Sequence, residues 1–335
     1  MVKAAMEHGN ILIFAEQENG EIHQISFELL GKGRELADRL GVKLNAVLLG
    51  WQIRDKATEL IYRGADNVFL YDHPSLRDFD VVRYGRNIVK LVKETNPDIF
   101  LIGATRIGRT LAPRIAAALR TGLTADCIDL ALDEEANLIQ IRPAFSGNIM
   151  AQIRTETKPQ MATVRYRVMR MRERDTSRRG RIIRMEVEVI EETGMKIIEK
   201  RRADEVNLAD AEVIVSGGRG LKKPEDFELL RELAEALGGV VGSSRPLVDA
   251  GWISKDHQVG FSGNTVKPKV YIACGISGSP QHLFGMRDSD VIIAINKDPT
   301  APIFNVSDYG IIGDLYEVVP ILIREIKKAS RGEKT

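Results

Sequence analysis

The chain has 335 residues, and at about 150 residues per domain this length predicts two domains. Its 48 Lys and Arg residues and 47 Asp and Glu residues nearly cancel, so no bulk charge is available to hold nucleic acid or an anionic membrane. Two cysteines are too few for a disulfide framework or a cysteine-ligated iron–sulfur cluster. No apolar run approaches the ~20 residues of a spanning helix, and the first residues resemble neither a signal peptide nor a transit peptide. We expect a cytoplasmic protein that reaches a membrane only through partners.

The first half of the chain alternates short apolar runs with segments of helical period. Strands are predicted at Ile11–Ala15, Leu44–Leu49, Asn67–Tyr71 and Asp98–Gly103. Helices are predicted between and after them, at Ser26–Leu40, Arg54–Arg63, Asp80–Thr95 and Gly108–Leu119. Such alternation indicates parallel βαβ units, and the uninterrupted apolar strands indicate a sheet covered on both faces.

The pattern changes after Thr124. Residues 128–132 and 138–141 predict two strands around a polar turn, and segments 149–154 and 161–169 extend the antiparallel pattern. Met185–Val189 alternates apolar and acidic residues, which predicts a strand on an antiparallel edge. The surrounding segment 165–202 is rich in Arg and Lys but interleaves acids and has one aromatic residue. It therefore favours a solvated edge and a surface for a protein partner over a nucleic-acid site.

A domain boundary is predicted near the polar, alanine-rich segment 203–211. A second strand–helix series starts at Val213, so we divide the chain into residues 1–207 and 208–335. Both domains are predicted to be α/β, the second with a parallel sheet.

Three loops of the second domain have the composition of a phosphate or cofactor cradle. They are Ser216–Gly220, Cys274–His282 and Asn296–Pro299, and each directly follows a predicted strand. Glycines allow a close backbone approach, helix-start N–H groups bind anions, and Arg219 adds a fork of donors. Because ligands bind outside the carboxyl ends of parallel strands, the three loops predict one crevice.

Plainer interpretations remain open for these residues. Gly218 and Gly220 fit neither the dinucleotide fingerprint nor a phosphate loop. An ordinary tight turn explains the two glycines equally well, and it is Arg219 between them that favours anion binding. A lone His282 is more often a structural hydrogen-bonding residue than a catalyst, and no second histidine offers a metal pair. Cys274 is expected to be a small core residue that ends a strand. No metal site is predicted.

Four stretches carry a family resemblance: SGGRGLKKPEDFELLRELAEALGG, VGSSRPLVDAGW, HQVGFSGNTVKPKVYIACGISGSPQH and INKDPTAPIFNVSDYGIIGDL. In this order they resemble the electron-transfer flavoprotein alpha subunit over nearly all of residues 212–320. The first domain is similar to the family's nucleotide-hydrolase-like parallel sheet, here with antiparallel edge strands. The resemblance implies a C-terminal domain that binds FAD and a heterodimer with a beta subunit.

The implied function is that of an electron carrier rather than a substrate-transforming enzyme. Members of this family pass electrons between dehydrogenases and an acceptor, such as a quinone oxidoreductase or a ferredoxin-linked protein. Some carry a second flavin in the beta subunit, in place of AMP or an empty site, and split electron pairs. The resemblance also implies that the FAD domain swivels against the rest, with segment 203–211 as the hinge.

The resemblance assigns FAD-site roles to individual positions. Arg219 and Ser244 match residues that line the site, and the loop from the diphosphate to the flavin ring matches Ser277, Gly278, Ser279, Pro280, Gln281 and His282. The adenosine side matches Asn296, Asp314 and Leu315. The surroundings of the isoalloxazine match Arg245, Gln258, Val259, Gly260, Phe261, Ser262 and His282.

Three of these residues are expected to tune the flavin. Arg245 stays charged and would stabilise a reduced, negatively charged flavin. His282 would do the same more weakly if protonated, and Ser262 would offer a hydroxyl near N5. This chain has Phe261-Ser262-Gly263 where the family often has Gln-Thr-Gly, which predicts a looser bond at N5. Pro280 removes a backbone N–H that an aliphatic residue would supply.

A second hypothesis rests on the first domain alone. An α/β sheet of this kind also occurs in nucleotide-binding modules and hydrolases unrelated to redox chemistry, which would bind ATP or AMP through residues 1–205. The stretch Gly103–Gly108 is only a generic strand-to-helix turn, and no phosphate-loop signature is present.

Overall fold

The computed structural model describes residues 9–144, 149–195, 208 and 211–330. The chain divides into two compact units, Met1–Ile198 and Glu199–Thr335. The sequence places its domain boundary between residues 207 and 208, and residues 199–207 lie outside the described part of the chain. That boundary stays a prediction.

The first unit alternates strands and helices up to α4 and then adds further strands. Its elements are β1 (Ile11–Ala15), β2 (Gln17–Glu18), β3 (Glu21–Ile22), α1 (Gln24–Leu40), β4 (Leu44–Gly50), α2 (Arg54–Tyr62), β5 (Asn67–Asp72), α3 (Val81–Thr95), β6 (Ile99–Gly103), α4 (Arg106–Leu119), β7 (Leu123–Cys127), β8 (Asp129–Leu132), β9 (Leu138–Ala144), β10 (Ile149–Arg154), β11 (Gln160–Val164) and β12 (Arg181–Arg184). The predicted strands and helices of residues 11–119 are confirmed to within two residues at their ends.

Seven of these strands form one parallel sheet in the order β12-β5-β4-β1-β6-β11-β7. The central strand β1 is buried along its length. Ile13 belongs to the apolar cluster on one face, and Leu12 and Phe14 belong to the cluster on the other. Successive side chains of a strand point to opposite faces, so this run of apolar residues is what a sheet covered on both sides requires.

The antiparallel pattern is confirmed for β8, β9 and β10, which form a separate three-stranded sheet. The turn between β8 and β9 is held by Asp133, whose carboxylate accepts from the backbone N–H groups of Glu135 and Asn137. The prediction that segment 161–169 extends the antiparallel strands is wrong. Its strand, β11, ends at Val164, is buried throughout and lies parallel between β6 and β7.

The prediction of an antiparallel edge strand at Met185–Val189 is also wrong. No strand forms at these residues; β12 lies just before them, at Arg181–Arg184, and pairs parallel with β5. Beyond it, the Asn87 amide of α3 donates to the Glu188 carbonyl (3.2 Å) and accepts from the Glu188 N–H (2.8 Å). This side chain satisfies backbone groups that a sheet would otherwise pair. The alternation still packs Met185 and Val187 against the core.

The second unit is a five-stranded parallel sheet in the order β14-β13-β15-β16-β17. Its elements are β13 (Val213–Gly217), α5 (Phe227–Ala236), β14 (Val240–Ser243), α6 (Arg245–Asp249), β15 (Val270–Cys274), α7 (Pro280–Leu283), β16 (Val291–Asn296), β17 (Tyr309–Ile312) and α8 (Leu315–Ser330). The helix that follows Pro224 is α5. Its Phe227, Leu230 and Leu233 are buried, and Gly238, at φ 66°, ends it in the left-handed region.

Two absences hold for the described residues. No helix there is both long enough and apolar enough to cross a bilayer. No group of three or more His, Cys, Asp or Glu side chains is placed to hold a metal ion.

Candidate cofactor site

The strand order of the second unit reverses at β13, because β14 lies on one side of β13 and β15 on the other. Loops that follow two such strands diverge and open a crevice at the carboxyl edge of the sheet. The loops after β13 and β15 meet there: Gly218 N–H donates to the Cys274 carbonyl (3.0 Å), and Gly220 N–H donates to the Gly275 carbonyl (2.9 Å). The structure thus brings the first two predicted loops together.

The glycines of these loops allow the loops to pack against one another. A Cβ on Gly218 would lie 2.5 Å from the Gly275 carbonyl oxygen. Gly278 has φ +87°, and a Cβ there would lie 2.3 Å from the backbone nitrogen of Ile303. Gly260 has φ +140°, and a Cβ there would lie 2.9 Å from the Gln281 carbonyl oxygen. A side chain at any of these positions would push the loops apart.

Arg219 lies between the two glycines of the first loop. Its side chain is exposed, and within the described part of the chain it has no ion-pair or hydrogen-bond partner. An unpaired guanidinium at the switch point is available to an anionic ligand, and its fork of donors matches phosphate oxygens.

Ser244 and Arg245 follow β14, beside the first loop. Ser244 is buried, and its N–H donates to the Gly217 carbonyl at 2.9 Å. Arg245 begins α6 with an exposed side chain, and its Nε lies 3.1 Å from Asp249 Oδ2. An exposed ion pair of this kind is weak, so the guanidinium remains able to change partner.

The segment 258–262 lies against the loop after β15. Val259 N–H donates to the Ser243 carbonyl (2.9 Å), and Phe261 N–H donates to the Gln281 carbonyl (2.8 Å).

Gln258 is buried, and its amide donates to Ser262 Oγ at 2.9 Å. Phe261 meets the ring of Phe284 edge-on yet stays 69% exposed, a large apolar side chain beside the crevice.

The loop after β15 ends in the four-residue helix α7. Ser277, Ser279 and Gln281 are exposed, and Ser279 is the residue before the first turn. Pro280 occupies the first helical position, where its fixed φ is favourable and an N–H would have no intrahelical partner. The loss of a donor at Pro280 therefore costs the fold nothing.

His282 is buried at 5% exposure, and its Nε2 lies 3.0 Å from the hydroxyl of Tyr271. Burial lowers the pKa of His282 to about 4. His282 is therefore neutral near pH 7, so the protonation on which its expected positive charge depends is not met there. Its Nδ1 is buried and makes no hydrogen bond of normal geometry in the described chain.

The third loop is tied to the second. The Asn296 amide donates to the Ile276 carbonyl (3.0 Å) and accepts from Asp298 N–H (3.0 Å), so both of its ends are engaged.

Asp314 accepts from Tyr316 N–H at the start of α8. Leu315 is buried, and its Cδ2 would lie 3.0 Å from a Cβ on Gly275. Leu315 is thus an apolar support beneath the glycine loops.

Two further residues behave as follows. Cys274 ends β15, is fully buried, and burial raises the pKa of its thiol to about 12, which confirms a core role. Tyr271 was missed as a site residue, because a tyrosine inside an apolar strand is typical of core packing. Only the position of its hydroxyl reveals the contact with His282.

Comparison with known families defines the class of protein. The profile "Electron transfer flavoprotein domain" matches residues 11–190, and the profile "Electron transfer flavoprotein FAD-binding domain" matches residues 207–287. The chain is therefore an electron-transfer flavoprotein whose cofactor is FAD. The second match includes the loops after β13 and β15, the two that meet at the switch point.

Similar proteins identify the subunit. The electron transfer flavoprotein subunit alpha of Thermoanaerobacterium thermosaccharolyticum is 52% identical, over 96% of this chain and 99% of that protein. The same subunit of Megasphaera elsdenii is 47% identical over 96% and 97%. Subunit LctC of the lactate dehydrogenase (NAD(+),ferredoxin) of Acetobacterium woodii is 45% identical over 97% and 78%. The chain belongs to the electron transfer flavoprotein alpha-subunit family, which implies a beta-subunit partner and interaction with dehydrogenases.

The residues at the switch point fit this cofactor. The glycine loops, which admit no side chain, and the guanidinium of Arg219, unpaired within the described chain, suit an anionic ligand. The Nδ1 of His282, in the helix that ends the second loop, is a buried group left for a hydrogen bond. A dinucleotide with a charged diphosphate and a polar ring system requires this combination.

Proposed function

We propose that FAD is held across the switch point between β13 and β15, and that this crevice is the electron-carrying site of the chain. The observation that carries the proposal is the unpaired Arg219 between two glycines at the point where the strand order reverses. The guanidinium of Arg219 would hold the diphosphate, since the N–H groups of Gly218 and Gly220 already donate to carbonyls of the second loop. The stretch Ser277–His282 would follow the cofactor toward its ring, and Asn296, Asp314 and Leu315 would lie on the adenosine side.

FAD supplies one- and two-electron chemistry when it is bound. The chain's own contribution is electrostatic. Arg245 is the positive group we assign to stabilising added electrons, while His282 stays neutral and acts as a hydrogen-bonding dipole. Ser262, held by the Gln258 amide, presents a hydroxyl for the ring nitrogen N5. Phe261 would shield the ring edge from water.

We further propose that the acceptor is ferredoxin-linked and that the heterodimer bifurcates electrons. Two relatives support this in their names. One is the lactate dehydrogenase (NAD(+),ferredoxin) subunit of Acetobacterium woodii, and the other is the acryloyl-CoA reductase electron transfer subunit beta of Anaerotignum propionicum, 43% identical. A quinone oxidoreductase is the alternative acceptor. Either role is compatible with a cytoplasmic protein that docks at a membrane through partners.

The first test counts flavin. The chain is co-purified with its beta subunit, its absorption spectrum is recorded, and the acid-released FAD is quantified per heterodimer. Two FAD molecules are expected for a bifurcating pair, together with NADH-dependent reduction of ferredoxin that requires a partner dehydrogenase and its oxidised substrate as the second, higher-potential electron acceptor. One FAD would contradict bifurcation and support a simple shuttle. A folded heterodimer without flavin absorbance would refute the proposed site.

A second test addresses Arg245. Arg245→Ala should lower the reduction potential of the FAD in the alpha subunit, because a positive charge beside the reduced flavin is lost. Arg231→Ala is the matched control, since Arg231 is also exposed and paired within its own helix, to Glu228 of α5. Potentials are measured by anaerobic titration with a reference dye. Equal potentials for the two variants would remove Arg245 from this role.

A further inference from the structure

Tyr271 lies in β15 beneath the candidate crevice and is fully buried. Its hydroxyl approaches His282 Nε2 at 3.0 Å, while the two ring centroids are 6.2 Å apart and tilted by 58°. The two side chains therefore meet at their polar ends rather than by stacking. Burial raises the pKa of Tyr271 well above its usual value, so the hydroxyl keeps its proton at any working pH.

A neutral imidazole has one nitrogen that donates and one that accepts. If the Tyr271 hydroxyl donates to Nε2, the ring proton of His282 is on Nδ1. If Nε2 donates to the tyrosine oxygen instead, Nδ1 is an acceptor. The two tautomers present opposite hydrogen-bonding character on the far side of the ring.

The burial of the Tyr271 hydroxyl distinguishes the two tautomers. Within the described chain, its hydrogen-bond partner is His282 Nε2. If Nε2 carried the proton, it would donate to the tyrosine oxygen, and the buried O–H would be left without an acceptor. A hydroxyl that donates to an unprotonated Nε2 is satisfied, and this places the ring proton on Nδ1.

We infer that Tyr271 is a positioning residue that donates to His282 Nε2 and fixes the neutral ring with its proton on Nδ1. His282 is thereby a hydrogen-bond donor of fixed orientation in the flavin site. Because Nδ1 has no hydrogen bond of normal geometry within the described chain, its N–H remains available to an acceptor atom of the ligand. The inference deepens the proposed function and rests on it for the identity of the ligand.

The ring nitrogens of His282 report this arrangement directly. The FAD-loaded heterodimer is prepared with ¹⁵N-labelled histidine in the alpha chain, and long-range ¹H–¹⁵N correlation spectra are recorded from pH 6 to 8. His282→Gln identifies the signals of His282 among the five histidines. We expect a protonated Nδ1 and an unprotonated Nε2 throughout this range.

Tyr271→Phe removes the hydroxyl and keeps the ring. It should yield a mixture of both His282 tautomers and a lower reduction potential of the alpha-subunit FAD, with FAD content unchanged. Tyr309→Phe is the matched control, because Tyr309 lies in β17 of the same sheet and is 64% exposed. Neither the His282 signals nor the potential should change in that control.

Three results would overturn the inference: a wild-type His282 with its proton on Nε2, a doubly protonated ring at pH 6–8, or a Tyr271→Phe variant with wild-type ring signals and potential. If Tyr271→Phe does not fold, the tautomer of His282 in the wild-type protein still tests the inference. The proposed function fails separately, through a heterodimer without FAD, and the His282 signals can then be read in that flavin-free protein.

Discussion

Glu16 is a buried acid at the switch point of the first unit. It follows β1, is 4% exposed, and its carboxyl accepts from Thr105 Oγ1 at 2.6 Å. Thr105 follows β6 and caps α4 by accepting from Gly108 N–H. In a nucleotide-binding sheet, this helix start at the carboxyl edge would face a phosphate. Here it faces a carboxyl group, which argues against the nucleotide-module hypothesis for the first domain.

Glu16→Gln should remove a pH dependence of stability. Burial raises the pKa of Glu16 to about 7. Because the folded protein holds this proton more tightly than the unfolded chain, the protonated Glu16 stabilises the fold below pH 4.5, the pKa of the unfolded state. This contribution, about 3 kcal/mol in total, is lost as pH rises through 7. The variant should match wild type at pH 4.5 and exceed it at pH 8.

Urea unfolding of the heterodimer at fixed subunit concentration, between pH 4.5 and 8, measures this effect. Glu18→Gln is the control, because Glu18 lies two residues away with a largely exposed side chain. Parallel stability curves for Glu16→Gln and wild type would contradict the prediction.

Gly278→Ala tests the contact between the second and third loops. The alanine would adopt a left-handed φ and its Cβ would clash with the backbone nitrogen of Ile303. Gly251→Ala is the matched control, since Gly251 has φ +73° but no atom within 4 Å of a Cβ. We expect Gly278→Ala to lose about 2 kcal/mol more stability than the control, and most of its FAD. Equal melting temperatures and FAD contents in the two variants would show that the loops accommodate the extra methyl group without losing stability or FAD.

At the scale of elements, three buried asparagines connect neighbouring strands of the first sheet. The Asn67 amide, in β5, donates to Asn45 of β4 (2.8 Å), and the Asn45 amide donates to Asn10, just before β1 (3.0 Å). Asn10 in turn donates to the Thr95 carbonyl at the end of α3. Since a one-residue slip would bury these amides unpaired, the ladder fixes the register of β1, β4 and β5.

Asn45→Ala should lower the free energy of unfolding by about 3 kcal/mol, because Asn10 loses a donor and Asn67 loses an acceptor. Adding Asn67→Ala should cost less than the sum of the single changes, since one orphaned amide is then gone. Gln152→Ala, an exposed amide of β10, is the control and should change stability by less than about 0.5 kcal/mol. Additive losses would show that the three amides act independently.

The sequence predicts elements whose signal is local and misses those that depend on distant contacts. Periodicity was sufficient for α1 and α3 and for the buried strands β1, β4, β5 and β6. The fate of residues 185–189 depends on Asn87, about a hundred residues earlier, and the place of β11 depends on a gap between β6 and β7. In the site, loop composition indicated the crevice, but the neutral state of His282 follows from its burial, which only the folded structure shows.

At the scale of the molecule, each unit has its own parallel sheet and its own apolar core. Two clusters cover the faces of the first sheet and two others those of the second. Every residue assigned to FAD lies in the second unit. The family resemblance implies that the second unit swivels, and self-sufficient units of this kind are what such a movement requires.

Proline residues in the segment that joins the two units should slow electron transfer. Ala203→Pro together with Val206→Pro should slow electron transfer severalfold while leaving FAD content and potential unchanged, because proline fixes φ and stiffens segment 203–211. Ala203→Ser with Val206→Ser is the control for altered side chains. Stopped-flow reduction by a dehydrogenase that reduces the wild-type heterodimer gives the rates. If the proline variant matches the serine variant, electron transfer does not depend on movement about this segment and the swivel must be abandoned.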